Sequence, residues 1–306
     1  MAPDITIREG VILPEIKPGR RNYSNLASYL YVTPAVVLVV GFIIIPIVFV
    51  IITSFTDWDI IRPMSFVGLK NYINFFKDPI IITSLKNTFM VVALVLAIPM
   101  VAGLLLAVFI KNVWFSKGFK SIFYIPIAMS GAGIGIIWEW FYSRSGFVNG
   151  ILVNLGILDQ PRSFLIEIPL NVILVILAIS WQSTGVNMIL FLMGLQNIPA
   201  EILEASKIDG ATDRQNFFHM ILPLLKPITT VIIILNIIGS FKVFDIIWVM
   251  TEGGPYRGSE TLAVSMFKTS FALQQFGYGS AIAIILSLFV FLVGIGYMRI
   301  AGRGRR

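Results

Sequence analysis

The chain lacks cysteine and has a single histidine, His219, among 306 residues. No thiolate metal site, cysteine nucleophile or disulfide framework is available to it, and a histidine-cluster metal site is excluded on the same count. Charge is scarce as well: 13% of residues are charged, against about a quarter in soluble domains. Apolar residues make up 57%. So few charges cannot cover that much apolar surface in water, and a disordered chain would be poor in such residues. A nucleotide-binding G-x-x-x-x-G-K-[ST] loop is also missing, so the chain offers no phosphate cradle of that kind. These absences point to an all-α integral membrane protein. The net charge of +7 does not argue for nucleic acid, because the basic residues lie between apolar runs rather than in one patch.

A helix needs about 20 mostly apolar residues to cross the hydrocarbon. Six stretches qualify: 29–54, 88–110, 119–142, 170–195, 222–250 and 278–300. The third is interrupted by Pro126 and by Gly131, Gly133 and Gly135. The expected layout is an N-terminal segment 1–28, a six-span domain 29–300 and a basic tail 301–306. With both termini on one side, fourteen Lys and Arg fall there and eight on the other, with Lys242 inside a span. The positive-inside bias then makes the termini cytoplasmic. The polar, mixed first 25 residues and the long first apolar run do not read as a cleavable signal. Three outer loops, 55–87, 143–169 and 251–277, are long enough to receive a partner.

One cytoplasmic loop, 196–227, is polar in an otherwise apolar chain. Pro199 suits a helix start, 200–207 a short helix, and Gly210 its left-handed stop. Asp213 is expected to cap a second short helix running to Pro223. Two short helices across a glycine turn make an elbow on the membrane surface. His219 on the second helix reads as a packing or surface residue.

Polar groups inside spans are functional candidates because they cost free energy unless paired or wetted. Span four offers Gln182, Ser183, Thr184 and Asn187; span five offers Thr229, Thr230, Asn236 and Ser240. The same residue types also bond one helix to the next. Lys242 and Asp245, three apart, are placed to pair on one helix face, with a phosphate contact by Lys242 as the other reading. Gly103, Gly185 and Gly194 suit close helix crossings.

Glu204-Ala205-Ser206, three residues, Gly210, nine residues and Met220-Ile221-Leu222-Pro223 resemble the EAA signature of ABC importer permeases, with Ser206 and Met220 as mild departures. Phe66-Val67-Gly68-Leu69-Lys70-Asn71-Tyr72, Gly146, Asn149, Gly156, Trp181, Gly194-Leu195-Gln196 and Met250-Thr251-Glu252-Gly253-Gly254-Pro255 are similar to segments of the carbohydrate branch, typified by maltose and glycerol-3-phosphate permeases. The resemblance covers about residues 30–300 and implies six transmembrane helices in a type I ABC importer (MetI-like) fold, in a bacterial or archaeal cytoplasmic (inner) membrane. It implies a transport subunit, not an enzyme, forming half of a sugar pathway beside a second homologous permease. Two ABC ATPase subunits would carry ATP and Mg, the chain itself holding no cofactor, and an extracytoplasmic solute-binding protein would dock outside. The elbow would couple to the ATPase through Glu204, Ala205, Ser206, Gly210, Ile208 and Phe217. Positions matching the maltose permease place a sugar at Gln182, Ser183 and Val186 and at Gly239, Ser240 and Val243, beside the polar Asn187 and Asn236. An ion-coupled secondary transporter of small polar solutes is the alternative.

Overall fold

A computed structural model describes residues 25–111 and 116–303. Most of segment 1–28 and half of tail 301–306 therefore lie outside the described residues. Helix is the regular structure throughout the described residues, with one isolated bridge between Thr56 and Phe66. The chain divides into two units, 1–49 and 50–306.

The first unit carries most of an apolar helix, α1, Tyr29–Thr53. Its apolar side chains, such as Phe42 and Ile45, are exposed, as suits a surface that lipid covers. The second unit continues with α2 (Lys70–Lys77), α3 (Pro79–Lys111), α4 (Ser116–Ala128), α5 (Gly131–Tyr142), α6 (Phe147–Asn154) and α7 (Leu170–Gln196). The elbow follows as α8 (Ala200–Ile208) and α9 (Asp213–Leu224). Then come α10 (Lys226–Phe241), α11 (Asp245–Thr251), α12 (Leu262–Phe267) and α13 (Phe276–Arg303). Among the described residues, four helices are long and apolar enough to cross a membrane, and counting each bent pair as one span makes six.

The spans depart from expectation in instructive ways. The second starts nine residues earlier, at Pro79, because Thr83, Ser84 and Thr88 return their hydroxyls to the preceding turn and so are tolerated in a helix. The third does not break at Pro126, which stays inside α4; it breaks at Met129–Ser130 and turns through 111°. Ser130 caps α5 by accepting from the Gly133 N–H. The fifth is not one rod over 222–250. It bends by 65° between α9 and α10, then stops at Phe241 and restarts at Asp245.

Close crossings are made where side chains are missing. A Cβ on Gly103 of α3 would lie 2.7 Å from Asn187 Cβ of α7. On Gly185 it would meet the Phe123 carbonyl oxygen of α4, and on Gly194 it would lie 2.7 Å from Ile228 of α10. These contacts seat α3, α4 and α10 against α7, around a core of Met188, Phe191, Leu192, Leu225 and Ile232. A second core joins Phe75, Ile81, Ile237, Phe241, Leu262 and Ile282, linking the outer helix α2 to α10 and α13.

Buried asparagines shape the outer loops, where backbone polar groups have no helix to satisfy them. Asn71 donates to the Ser54 and Thr56 carbonyls at 2.9 and 2.7 Å. Asn149 donates to the Ser143 and Arg162 carbonyls and accepts from the Arg162 N–H, each at 2.8 Å. Asn149→Ala is expected to remove all three bonds, costing roughly 1–3 kcal/mol by leaving buried groups unpaired. Hydrogen exchange at the Arg162 amide checks this: wild-type protection in the variant would show that the loop holds itself. Nearer α2, the backbone N–H and guanidinium of Arg62 hold the half-buried Asp59 carboxyl below the usual carboxylate range.

Candidate functional site

The elbow is built from two local motifs. α8 ends in a Schellman turn: the Ala211 N–H reaches the Ser206 carbonyl at 3.0 Å and the Gly210 N–H the Lys207 carbonyl at 3.1 Å. Gly210 sits at φ +79°, in the left-handed region that a side chain opposes. Thr212 and Gln215 then form a reciprocal capping box, so Thr212 rather than the expected Asp213 is the cap. Asp213 instead lies in the first turn, where a carboxylate favours the helix dipole. The turn is therefore stiff, with its stop and its restart both hydrogen-bonded.

The six coupling candidates divide into two groups. Glu204, Ala205 and Gly210 are exposed, and Ile208 is 85% exposed, a large apolar side chain that nothing among the described residues covers. Ser206 is buried and donates to the Leu203 carbonyl at 2.8 Å, which closes the helix on itself. Phe217 is half-buried, edge-on to Phe218, and lines a cavity of about 440 Å³ with Val108, Leu195, Leu203 and Asn216. It thus faces back towards the spans. His219 is exposed, its Nδ1 3.1 Å from the Gln215 carbonyl. Among the described residues no cluster of His, Asp or Glu suits a metal.

Higher in the bundle, the breaks of spans three and five lie side by side. Gly131 packs against Asp245, and Gly135 against Val249. Gln182 of α7 donates to the Met129 carbonyl at 3.3 Å, so three spans meet at the break in α4–α5. Backbone groups freed by such breaks are what discontinuous membrane helices use at solute sites. Trp181 and Val186 are exposed on the same helix, with Gln182 and Ser183 half-buried beside them. Gly239 is exposed at the end of α10. The remaining candidates are placed differently. Asn187 is buried against Gly103, with its side-chain N–H unpartnered. Ser240 is buried and donates to the Ile237 carbonyl at 3.0 Å. Asn236 keeps a buried, unpartnered side-chain N–H, and Val243 packs against the buried core that contains Ile134, Ile179 and Ile247.

The expected pairing of Lys242 with Asp245 does not form. Lys242 closes α10 and Asp245 opens α11, so the two never share a helix face. Among the described residues the ion pairs are Asp59–Arg62, Glu167–Arg162, Glu260–Arg257 and Glu260–Lys268.

Glu260 escaped the sequence reading. Its carboxylate is fully buried under the outer loop, 2.9 Å from Arg257 Nη1 and 3.2 Å from Lys268 Nζ. Nearby, Asn87 of α3 donates to the carbonyls of Arg257, Gly258 and Glu260. The available signal was an acid eight residues after the Thr251–Glu252 pair and directly before an apolar run, a position where an ion needs partners.

The sequence of residues 99–306 matches the family described as "binding-protein-dependent transport system inner membrane component". The chain belongs to that family. It is a permease subunit of an ABC transport system, which leaves the ion-coupled alternative without support. The permease is 36% identical over 273 residues to a probable ABC transporter permease protein of Pyrococcus horikoshii, covering 88% of this chain and 93% of that one. It is 34% identical to the arabinooligosaccharides transport system permease protein AraP of Bacillus subtilis, covering 92% and 90%. Its fold superposes with a TM-score of 0.81 on a chain of a bacterial alginate ABC transporter solved with an alginate pentasaccharide-bound periplasmic protein. That match is at 20% identity and covers 91% of this permease and 95% of that chain.

Proposed function

We propose that this permease imports a sugar or sugar derivative and that its elbow receives the force of a separate ATPase. The observation that carries the coupling is the rigid, outward-facing turn at Gly210 with Glu204 and Ile208 exposed on its first helix. A charged and a large apolar side chain on one stiff projection suit a groove in another protein, where apolar burial adds affinity and the charge sets register. The chain has no phosphate loop, so ATP and Mg belong to two partner ATPase subunits. Closing of those subunits on nucleotide would draw the elbows together and rock the spans. A differential of about 5.5 kcal/mol carries such a pair of states from one extreme to the other.

The sugar reading draws on relatives such as AraP and on the surface beside the broken spans. Gln182, Ser183 and Gly239, with Trp181 and Val186, offer amide, hydroxyl and backbone groups next to an aromatic ring, the combination that neutral hydroxylated solutes bind. Asn187 and Asn236 keep buried amide N–H groups unpartnered on these helices, free to bond a solute, and Ser240 and Val243 shape the end of α10. One chain supplies half of the pathway; a second homologous permease would face it, and a solute-binding protein would dock on the outer loops. The basic bias keeps both termini cytoplasmic.

Proteoliposomes holding the assembled permeases and ATPases test this reading. Uptake of sugar delivered by the loaded binding protein is expected to require ATP inside and to survive a protonophore. Uptake that collapses with the proton gradient and persists without ATP overturns it.

A further inference from the structure

Three features at the outer end of the bundle have no use in the account so far. The first is the Glu260 carboxylate, 0% exposed, which accepts from Arg257 and Ser265 through one oxygen and from Lys268 through the other. The second is the backbone it anchors. Glu252, Gly253, Tyr256 and Arg257 all have positive φ, and Gly253 has no room for a side chain because Glu260 Cβ lies 3.0 Å from where its Cβ would be. Such conformations persist only when the surroundings over-determine them. The third is Tyr256 at the tip, 94% exposed. A buried carboxylate holding two cations is costly to assemble, yet its product is a strained loop that lifts one aromatic ring into solvent.

Glu260 reaches further than the loop. Ser265 Oγ also bonds Ser84 Oγ of α3 at 2.7 Å, and the Leu262 N–H donates to Thr88 Oγ1 of the same helix at 2.8 Å. Asn171 of α7 donates to the Gly254 carbonyl at 2.9 Å. One node therefore ties the loop tip to spans two and four.

We propose that Glu260 is a positioning residue: it fixes the 252–258 loop so that Tyr256 meets the solute-binding protein in one orientation and so that docking is felt at α3. The inference rests on the import reading above. The solute-binding protein is the occupant, because a rigidly held, solvent-exposed tyrosine is the side chain that protein interfaces favour.

The test titrates the sugar-loaded binding protein onto the reconstituted complex and reads ATP hydrolysis. Glu260→Gln is expected to raise the half-stimulating concentration about ten-fold, the effect of losing one well-placed interface aromatic, with the rate in the absence of binding protein unchanged. Glu260→Asp should recover part of the loss. Tyr256→Ala, which removes an exposed ring and cannot open a cavity, should reproduce the rise. The double variant should be no worse than either single one, since both act through the same contact. A wild-type half-stimulating concentration in Glu260→Gln, or additive losses in the double variant, overturns the proposal. If Glu260→Gln does not assemble, Arg257→Ala frees the loop while Lys268 still neutralises the carboxylate; a wild-type titration there overturns it equally. A wild-type complex that no binding protein stimulates overturns the import reading and this inference with it, and shows itself before any substitution is made.

Discussion

Glu204→Ala is expected to lower ATP-driven uptake by about thirty-fold or more, since truncating one member of a desolvated interface ion pair costs about 2 kcal/mol at the least. The side chain is exposed and makes no hydrogen bond or ion pair among the described residues, so the spans should keep their wild-type melting temperature. Gly210→Pro should have at least as large an effect by a different route. Proline fixes φ near −65°, whereas the turn requires +79°. The Schellman pair to Ser206 and Lys207 would be lost, and α8 would point elsewhere. Gly210→Ala keeps the N–H and opposes only the backbone angle, a cost of about 1–2 kcal/mol, so its uptake should fall between that of wild type and that of Gly210→Pro. ATP hydrolysis that continues while uptake fails would mark uncoupling. Normal uptake by both Glu204→Ala and Gly210→Pro would remove the elbow from the mechanism.

The second large effect is expected at Gly185. A Cβ there meets the carbonyl oxygen of Phe123, a backbone atom that cannot turn aside. Gly185→Leu should prevent α4 from seating on α7, and with it the break at Met129 that Gln182 holds. Overpacking a core position costs about 1–3 kcal/mol when side chains absorb it, and backbone contact raises that. The expected result is loss of assembled complex from the membrane, with Gly185→Ala recovered but melting lower. Gly150→Ala is the control: it lies on the exposed face of α6 with open space around it and should behave as wild type. Equal melting temperatures for Gly185→Ala and Gly150→Ala would mean that the close crossing carries no weight.

The membrane class, the apolar spans and the elbow were legible in the residues alone. Each rests on a local property: the length of an apolar run, a charge bias between loops, or a glycine placed where a helix must stop. The EAA spacing was legible for the same reason, because it lies within about twenty consecutive residues. Nor did the asparagines hide themselves. Asn71 and Asn149 stood in recognisable segments, although nothing in one dimension said that their partners are the carbonyls of Ser54 and Arg162.

Composition and local pattern by themselves determined that this chain is a helical membrane protein with a polar glycine bend between two short helices. Only the tertiary structure decided which face each polar residue takes. Lys242 and Asp245 stand three apart in sequence, yet a helix break separates them; Ser206 and Phe217 sit in the proposed coupling segment, yet Ser206 is buried and Phe217 turns towards the spans. Glu260 finds Lys268 along the chain and, through Ser265, Ser84 of another span. Helix breaks and buried ion networks depend on what packs opposite, and that is a property of the folded bundle rather than of any window of its sequence.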